Sequence, residues 1–320
     1  MTRVGILGCA SIAKRSLAPA FMRHDGFELV AVASRSANKA TEFAEGFSAR
    51  GCTYDELVQA PDVDLIYCPL PTGLHHNWVA KSLEAGKHVL CEKSLGTSLR
   101  EVEDLVGIAR ERQLFLMESF QFRFHAQNLY VKSLLAGNAI GPVRDVVVRF
   151  GIPPFPEGAA NIRYSKVLGG GALLDNGAYA IKAATYLLGH EIEVLAAMHG
   201  GETNSLGNVD LTGSIMMRTP SGVSIHGTYG FDHYYQNGYE IWGKDGKIST
   251  TRAFTARGGF AAPVIVETAS GKDVKTFDDD HFARLLDYVA STIATGDFER
   301  EYSECIVQAR TVQAVKEIMK

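Results

Sequence analysis

The sequence predicts an α/β protein in two parts: a doubly wound parallel sheet first, then an α/β domain with an open, mainly antiparallel sheet. Three observations carry this reading. Short apolar runs alternate with helix-period segments through the first third of the chain, the pattern of strand–helix–strand units. From Arg144 onward, strands follow one another with short turns between them, and Thr219–Gly222 and Lys244-Asp245-Gly246 are hairpin signals. A chain of 320 residues also exceeds one typical core. The expected domains are 1–120 and 121–320, with the C-terminal helix packing back on the first.

Composition excludes several classes. A net charge of −4 offers no basic footprint for nucleic acid. No run of eighteen apolar residues is present, so no membrane span is expected. The N-terminus enters a strand without the charged and apolar regions of a signal peptide. Cys9, Cys52, Cys68, Cys91 and Cys305 are odd in number and form no Cys-x-x-Cys pair. They suit reduced thiols in a cytoplasmic protein better than disulfides or a zinc site.

The first strand, Arg3–Leu7, runs into Gly8-Cys9-Ala10-Ser11-Ile12-Ala13 and a helix to about Arg23. A strand, a turn with Gly8, Ala10 and Ala13 in the spaced positions, and a helix make a dinucleotide-binding fingerprint of the Rossmann type. Alanine replaces the second glycine, which adds a methyl where backbone approaches pyrophosphate. Ser11 and Ile12 open the helix whose N-terminus would face that group. The second strand, Phe27–Ala33, ends in Ser34-Arg35-Ser36, with Lys39 beyond. No acid stands there to bind a ribose 2′-hydroxyl. Arg35 between two hydroxyls suits a 2′-phosphate instead, so NADP is favoured and NAD is the second candidate.

Helices are expected over Ala37–Phe47 and Asp55–Gln59, then a strand over Asp64–Cys68. The loop Pro69-Leu70-Pro71-Thr72-Gly73-Leu74 follows, and His75-His76 open a helix. Adjacent histidines do not share a helix face and are poor joint metal ligands. Strand His88–Cys91 ends in Glu92-Lys93, where open parallel sheets bind ligands. A lysine there can bond a ribose and hold positive charge beside a reacting C–O bond. Ser98 and Glu101 resemble a capping box at the next helix. After strand Leu114–Glu118, Phe120–His125 contains Arg123, which either faces a cleft or ties the domains together.

Leu168–Ile181 carries three glycines, then Asp175 and Tyr179 four residues apart on one helix face. A carboxylate and a phenol so placed can bind a sugar diol and move a proton. Tyrosine's ordinary pKa of about 10 would fall beside an ammonium group. The residues alone fit better a glycine loop before a packing helix, with Asp175 capping or solvated. Later strands are expected at Glu193–His199, Asp210–Arg218, Val223–Phe231, Tyr239–Trp242, Lys247–Thr250 and Pro263–Glu267. Asp280–Thr295 and Ser303–Met319 close the chain as helices.

Lys-His-Val-Leu-Cys-Glu-Lys at 87–93 resembles the signature of the glucose–fructose oxidoreductase/inositol dehydrogenase (Gfo/Idh/MocA) family. Pro71 and His75 resemble that family's loop over the cofactor, and 120–125 its aromatic-Arg-Phe-His segment. The glycine run with Asp175 and Tyr179 is similar to its Gly-Gly-Gly-x-Leu-x-Asp motif. Ser94 replaces a proline whose preceding peptide bond is commonly cis in the family, and Ala126 replaces another. The resemblance implies an NADP-dependent oxidoreductase that moves a hydride between nicotinamide and a secondary alcohol or ketone of a sugar-like substrate. A nucleotide-linked ketosugar is the favoured substrate. It implies Lys93, Asp175 and Tyr179 as catalytic residues without a metal. Gly8, Ala10, Ser11, Ile12, Ser34, Arg35, Ser36, Lys39, Pro71, His75, Glu92, Lys93 and Arg163 would hold the cofactor. Arg123 would join Lys93, Asp175 and Tyr179 at the substrate. A homodimer or homotetramer through the C-terminal sheet is also implied. The alternatives are a cofactor-sensing regulator of the same fold and a dihydrodiol-type dehydrogenase.

Overall fold

The computed structural model of the chain describes residues 1–156, 161–199 and 208–319. The last two positions of the expected Pro153–Gly158 loop lie outside the described residues. The chain divides into two compact units: Met1–Ser119 with Phe282–Ile306, and Phe120–His281 with the residues from Val307 onward.

In the first unit, β1 (Thr2–Leu7), β2 (Phe27–Ala33), β3 (Arg50–Cys52), β4 (Leu65–Cys68), β5 (His88–Glu92) and β6 (Leu116–Ser119) form one sheet. Its order is β3-β2-β1-β4-β5-β6, and every pairing is parallel. The intervening helices are α1 (Ala18–Arg23), α2 (Ala37–Glu45), α3 (Tyr54–Gln59), α4 (His75–Glu84) and α5 (Leu99–Glu111). All four residues of β4 and the last four of β5 are buried, as expected of strands covered on both faces. Strand order reverses between β1 and β4, so the ligand crevice of such a sheet opens at their carboxyl ends. A π turn over Ala13–Leu17 precedes Pro19, whose nitrogen cannot donate to a carbonyl one turn back.

Three local expectations change. β3 is a three-residue strand that periodicity is too short to register. Ser98 caps α5 by accepting the N–H of Glu101, but the Glu101 carboxylate reaches Thr97 N at 2.6 Å rather than Ser98. The full capping box belongs to α3, between Thr53 and Glu56.

The second unit begins with α6 (Ala126–Ala136) and β7 (Val143–Gly151), followed by α7 (Ala178–Leu188) and β8 (Glu193–His199). Then come β9 (Thr212–Arg218), β10 (Ser224–Gly230), β11 (Gln236–Gly243), β12 (Gly246–Thr250), β13 (Ala262–Thr268) and β14 (Gly271–Phe277). The eight strands order β14-β13-β12-β11-β7-β10-β9-β8. β7 and β10 pair in parallel and the other neighbours antiparallel, so the sheet is mixed. β14 has no counterpart in the sequence reading, because Lys272, Asp273 and Lys275 break its apolar pattern. Those charges suit an exposed edge strand. Helices α8 (His281–Thr295) and α9 (Glu299–Ile318) close the chain.

Alternation decides the faces. Val146, Val148, Phe150, Ile215, Met217, Ile225, Tyr229 and Ile241 point into one core with Ala178, Ala180, Ile181 and Ala184 of α7. Small residues bring α7 close, since a Cβ on Gly227 would lie 3.1 Å from that of Ala180. Tyr229 lies under the turn that leads into α7: a Cβ on Gly177 would stand 3.1 Å from its ring, and one on Gly213 would run into its hydroxyl. Gly213→Ala should therefore overpack the site's foundation and destabilise the protein by about 1–3 kcal/mol. Chemical denaturation would read this as a lower midpoint at unchanged slope.

Candidate active site

At the end of β1 the chain turns at Gly8, with φ +126°, where a Cβ would press to 2.8 Å from Leu70 Cδ2. Ala10 N–H closes the turn on Gly8 O at 2.9 Å, and helix begins at Ser11. First-turn N–H groups such as those of Ser11 and Ile12 have no acceptor within their helix, and so suit an anion. At the end of β2, Ser34 is buried and its hydroxyl accepts Ser36 N–H at 3.3 Å. Ser36 caps α2 by accepting Lys39 N–H. Arg35, Ser36 and Lys39 stay exposed, while the Ser34 hydroxyl turns inward. These residues fit a dinucleotide: a tight glycine turn, a helix N-terminus and an exposed guanidinium at the end of the second strand. NADP would be held there, its pyrophosphate against Ala10–Ile12 and its 2′-phosphate against Arg35.

At the end of β5, Lys93 is half-buried, and the Lys93–Ser94 peptide is cis. Glu92 is buried and accepts the Tyr67 hydroxyl at 2.9 Å. Burial, with Glu92 adding to it, pushes the Tyr67 phenol well above its usual range. For His75 the sequence offers two equal readings, a helix-start packing residue and a cofactor contact, and its burial accords with packing. It is fully buried, with Nδ1 2.7 Å from Ser94 O and Nε2 2.7 Å from Leu70 O. Burial pulls its pKa down, while the two carbonyls push it up. Cys68, His75 and Cys91 bring donor atoms within 4.8 Å of one another, but both imidazole nitrogens are already engaged with those carbonyls. Pro71 is half-buried, and its carbonyl accepts Leu74 N–H as the loop tightens.

In the second unit the glycine run folds back on its neighbours. Gly169 and Gly171 have φ +71° and +112°, and a Cβ on Gly170 would run into the carbonyl of Arg163. Gly171 N–H donates to Arg163 O at 2.8 Å. Asp210 Oδ2 accepts Leu173 N–H at 2.5 Å, at the start of the helical segment. Burial raises the Asp210 pKa, and the N–H bonds to it oppose that rise. Asp175 lies in a π turn, Leu173–Gly177, and Arg163 Nε donates to its Oδ2 at 2.6 Å. The guanidinium also stacks 4.8 Å from the Phe155 ring centroid. Arg163 thus meets Asp175 across the glycine run.

Tyr179 opens α7 with its ring among Phe120, Phe122, Phe150 and Phe254, at centroid distances of 5.2, 6.0, 5.1 and 5.4 Å. Such edge-on and tilted contacts fix the ring plane. Arg123 is buried in a 3-10 turn, its guanidinium 5.2 Å from the Phe124 ring, while its carbonyl accepts the Tyr186 hydroxyl. The sequence reading missed Asp210, Glu118 and Tyr67, which support these segments. Asp210 acts across 37 positions, beyond any motif spacing.

Among the described residues, no helix is long and apolar enough to cross a membrane. Residues 2–120 match the oxidoreductase family with the NAD-binding Rossmann fold, and residues 128–249 match the GFO/IDH/MocA C-terminal domain. A dTDP-3,4-didehydro-2,6-dideoxy-alpha-D-glucose 3-reductase of Saccharopolyspora spinosa is 42% identical over 266 residues, 83% of this chain and 79% of its own. The reductase of the same name from Actinomadura kijaniata is 38% identical over 317 residues, 98% of this chain and 94% of its own. The crystal structure of a 3-ketoreductase from A. kijaniata with NADP and TDP-benzene matches at TM-score 0.94 and 37% identity, covering 100% of this chain and 98% of that one. Variants of that protein with one lysine changed to alanine or glutamate, or one tyrosine to phenylalanine, hold the same two ligands. On its sequence and its two matched domains, the chain belongs to the Gfo/Idh/MocA family of oxidoreductases.

Proposed function

We propose that the protein is an NADPH-dependent reductase of a ketone on a nucleotide-linked sugar. The observation that carries this is a similarity at 38% identity, over 98% of the chain, to a 3-reductase of a dTDP-linked dideoxy ketosugar. The cofactor, when bound, supplies the hydride. Lys93 holds positive charge for the carbonyl oxygen as negative charge grows on it. Tyr179 delivers the proton to that oxygen, so that ketone, hydride and proton give a secondary alcohol. Asp175, held by Arg163, orients a neighbouring hydroxyl. Arg35, Ser36 and Lys39 take the 2′-phosphate.

Two further features belong to this reading. The five free thiols suit a reducing cytoplasm. The outer face of the eight-stranded sheet joins copies into a dimer or tetramer. It exposes Met216 and Trp242 among charged neighbours, including Lys247 beside Glu240 and Glu267.

The decisive assay follows NADPH absorbance with a panel of dTDP-linked 3- and 4-ketosugars, free ketoses and aldoses. Turnover confined to nucleotide-linked ketones is expected. Tight NADPH binding without turnover of anything in the panel would point instead to a cofactor sensor. Tyr179→Phe should lower kcat by about 10²–10⁴-fold, the usual worth of a positioned proton donor, and leave the NADPH Kd unchanged. Arg35→Ala should weaken NADPH by about ten-fold or more while sparing NADH, since charge-assisted bonds to the 2′-phosphate would be lost. Equal affinity of wild type and variant for NADPH would remove the phosphate assignment.

A further inference from the structure

Behind Lys93 the main chain is gripped from two sides. Ser94 and Leu95, the two residues after it, are buried. The Ser94 carbonyl meets His75 Nδ1 at 2.7 Å, and Leu95 N–H donates to Glu118 Oε1 of β6 at 3.0 Å. The other nitrogen of His75 meets Leu70 O at 2.7 Å, in the loop after β4. The Leu70 side chain in turn lies against Gly8, in the turn after β1. One buried imidazole at the start of α4 therefore links the segments that follow β4 and β5, and through Leu70 touches the one that follows β1. A buried carbonyl outside a sheet ladder needs a donor. An imidazole has a nitrogen on each of two ring edges, so a single side chain touches both carbonyls; the neutral ring donates its one N–H to one of them, and only the protonated ring donates to both.

We propose that His75 is a positioning residue for Lys93: it fixes the main chain beside the lysine and joins it to the cofactor loop, without itself touching a ligand. The inference rests on the reading of Lys93 as a contact to the nicotinamide end of the cofactor. It predicts that His75 and Lys93 act as one unit.

The test is a double-variant cycle read by NADPH fluorescence on the whole protein, which needs no turnover. His75→Ala and Lys93→Ala should each weaken NADPH by about ten-fold, and the double variant should lose no more than Lys93→Ala alone, the behaviour of coupled residues. His75→Asn keeps one N–H donor and should recover part of the loss. It also carries the cycle if melting curves show His75→Ala to be unfolded. Losses that multiply in the double variant would overturn the proposal. So would unchanged NADPH affinity in both histidine variants, or a loss in them when Lys93→Ala alone has none. Failure of the wild type to reduce any ketosugar would sink the proposed reaction and leave this cycle intact, so the two failures are distinguishable.

Discussion

Main-chain groups buried behind the strand ends have to be paired, and here side chains do the pairing. In the first unit the His75 ring lies between the Ser94 and Leu70 carbonyls, Glu118 accepts Leu95 N–H, and Lys87 Nζ donates to Ala60 O at 2.7 Å and Val63 O at 2.8 Å. In the second, Asp210 takes Leu173 N–H, and Asn176 Nδ2 reaches Phe150 O and Gly230 O, the ends of the two parallel strands. Asn128 Nδ2 likewise holds Phe122 O and Ala253 O, both at 2.8 Å. A buried group left unpaired costs about 1–3 kcal/mol, so these polar residues do not exchange for apolar ones of the same size. Among them, His75 and Glu118 hold the main chain just after Lys93, and Asn176 and Asp210 hold the segment just before Tyr179.

The second device is close approach. The 169–171 glycines are not spare flexibility. Gly170 rests on the Arg163 carbonyl and Gly171 on the Asp210 carboxylate, with no room for a methyl at either. This contact brings the Arg163 turn beside the helix that carries Asp175, and the 2.6 Å ion pair follows. Gly8 does the same work against Leu70 in the first unit. In both units a glycine motif is joined by packing to a segment distant in sequence, which a list of motif letters does not reveal.

The parallel sheet was legible because its strands are apolar runs at regular intervals, and Gly8 and Lys93 fall at strand ends whatever the details. The later strands were legible from their turns, except where the pattern fails. β3 is too short, and β14 is charged along its length. The residues proposed for the chemistry were readable as motifs. Their supports were not, because pairs such as His75 with Ser94 or Asp210 with Leu173 join positions 19 and 37 apart. Nothing local marks such a partner. His75 shows the difference: its motif allows a ligand contact or a packing residue, while its burial between the Ser94 and Leu70 carbonyls appears only in the fold. Ser34 is similar, since a hydroxyl beside Arg35 in sequence accepts Ser36 N–H in the fold.

The arrangement in the second unit also divides the labour between its two candidate groups. Asp175 accepts the Arg163 guanidinium at 2.6 Å, which holds the carboxylate in place and suits an orienting role. Tyr179 carries its proton at the far end of a ring confined by four phenylalanines, so the hydroxyl has little freedom to wander. A donor held in this way meets the requirement that geometry be set before proton affinity matters. This suits the proposed roles, with the tyrosine as the acid of the pair and the carboxylate as the anchor. Exchanging those roles would require Arg163 to release Asp175, and the Arg163 turn is itself held against the glycine run.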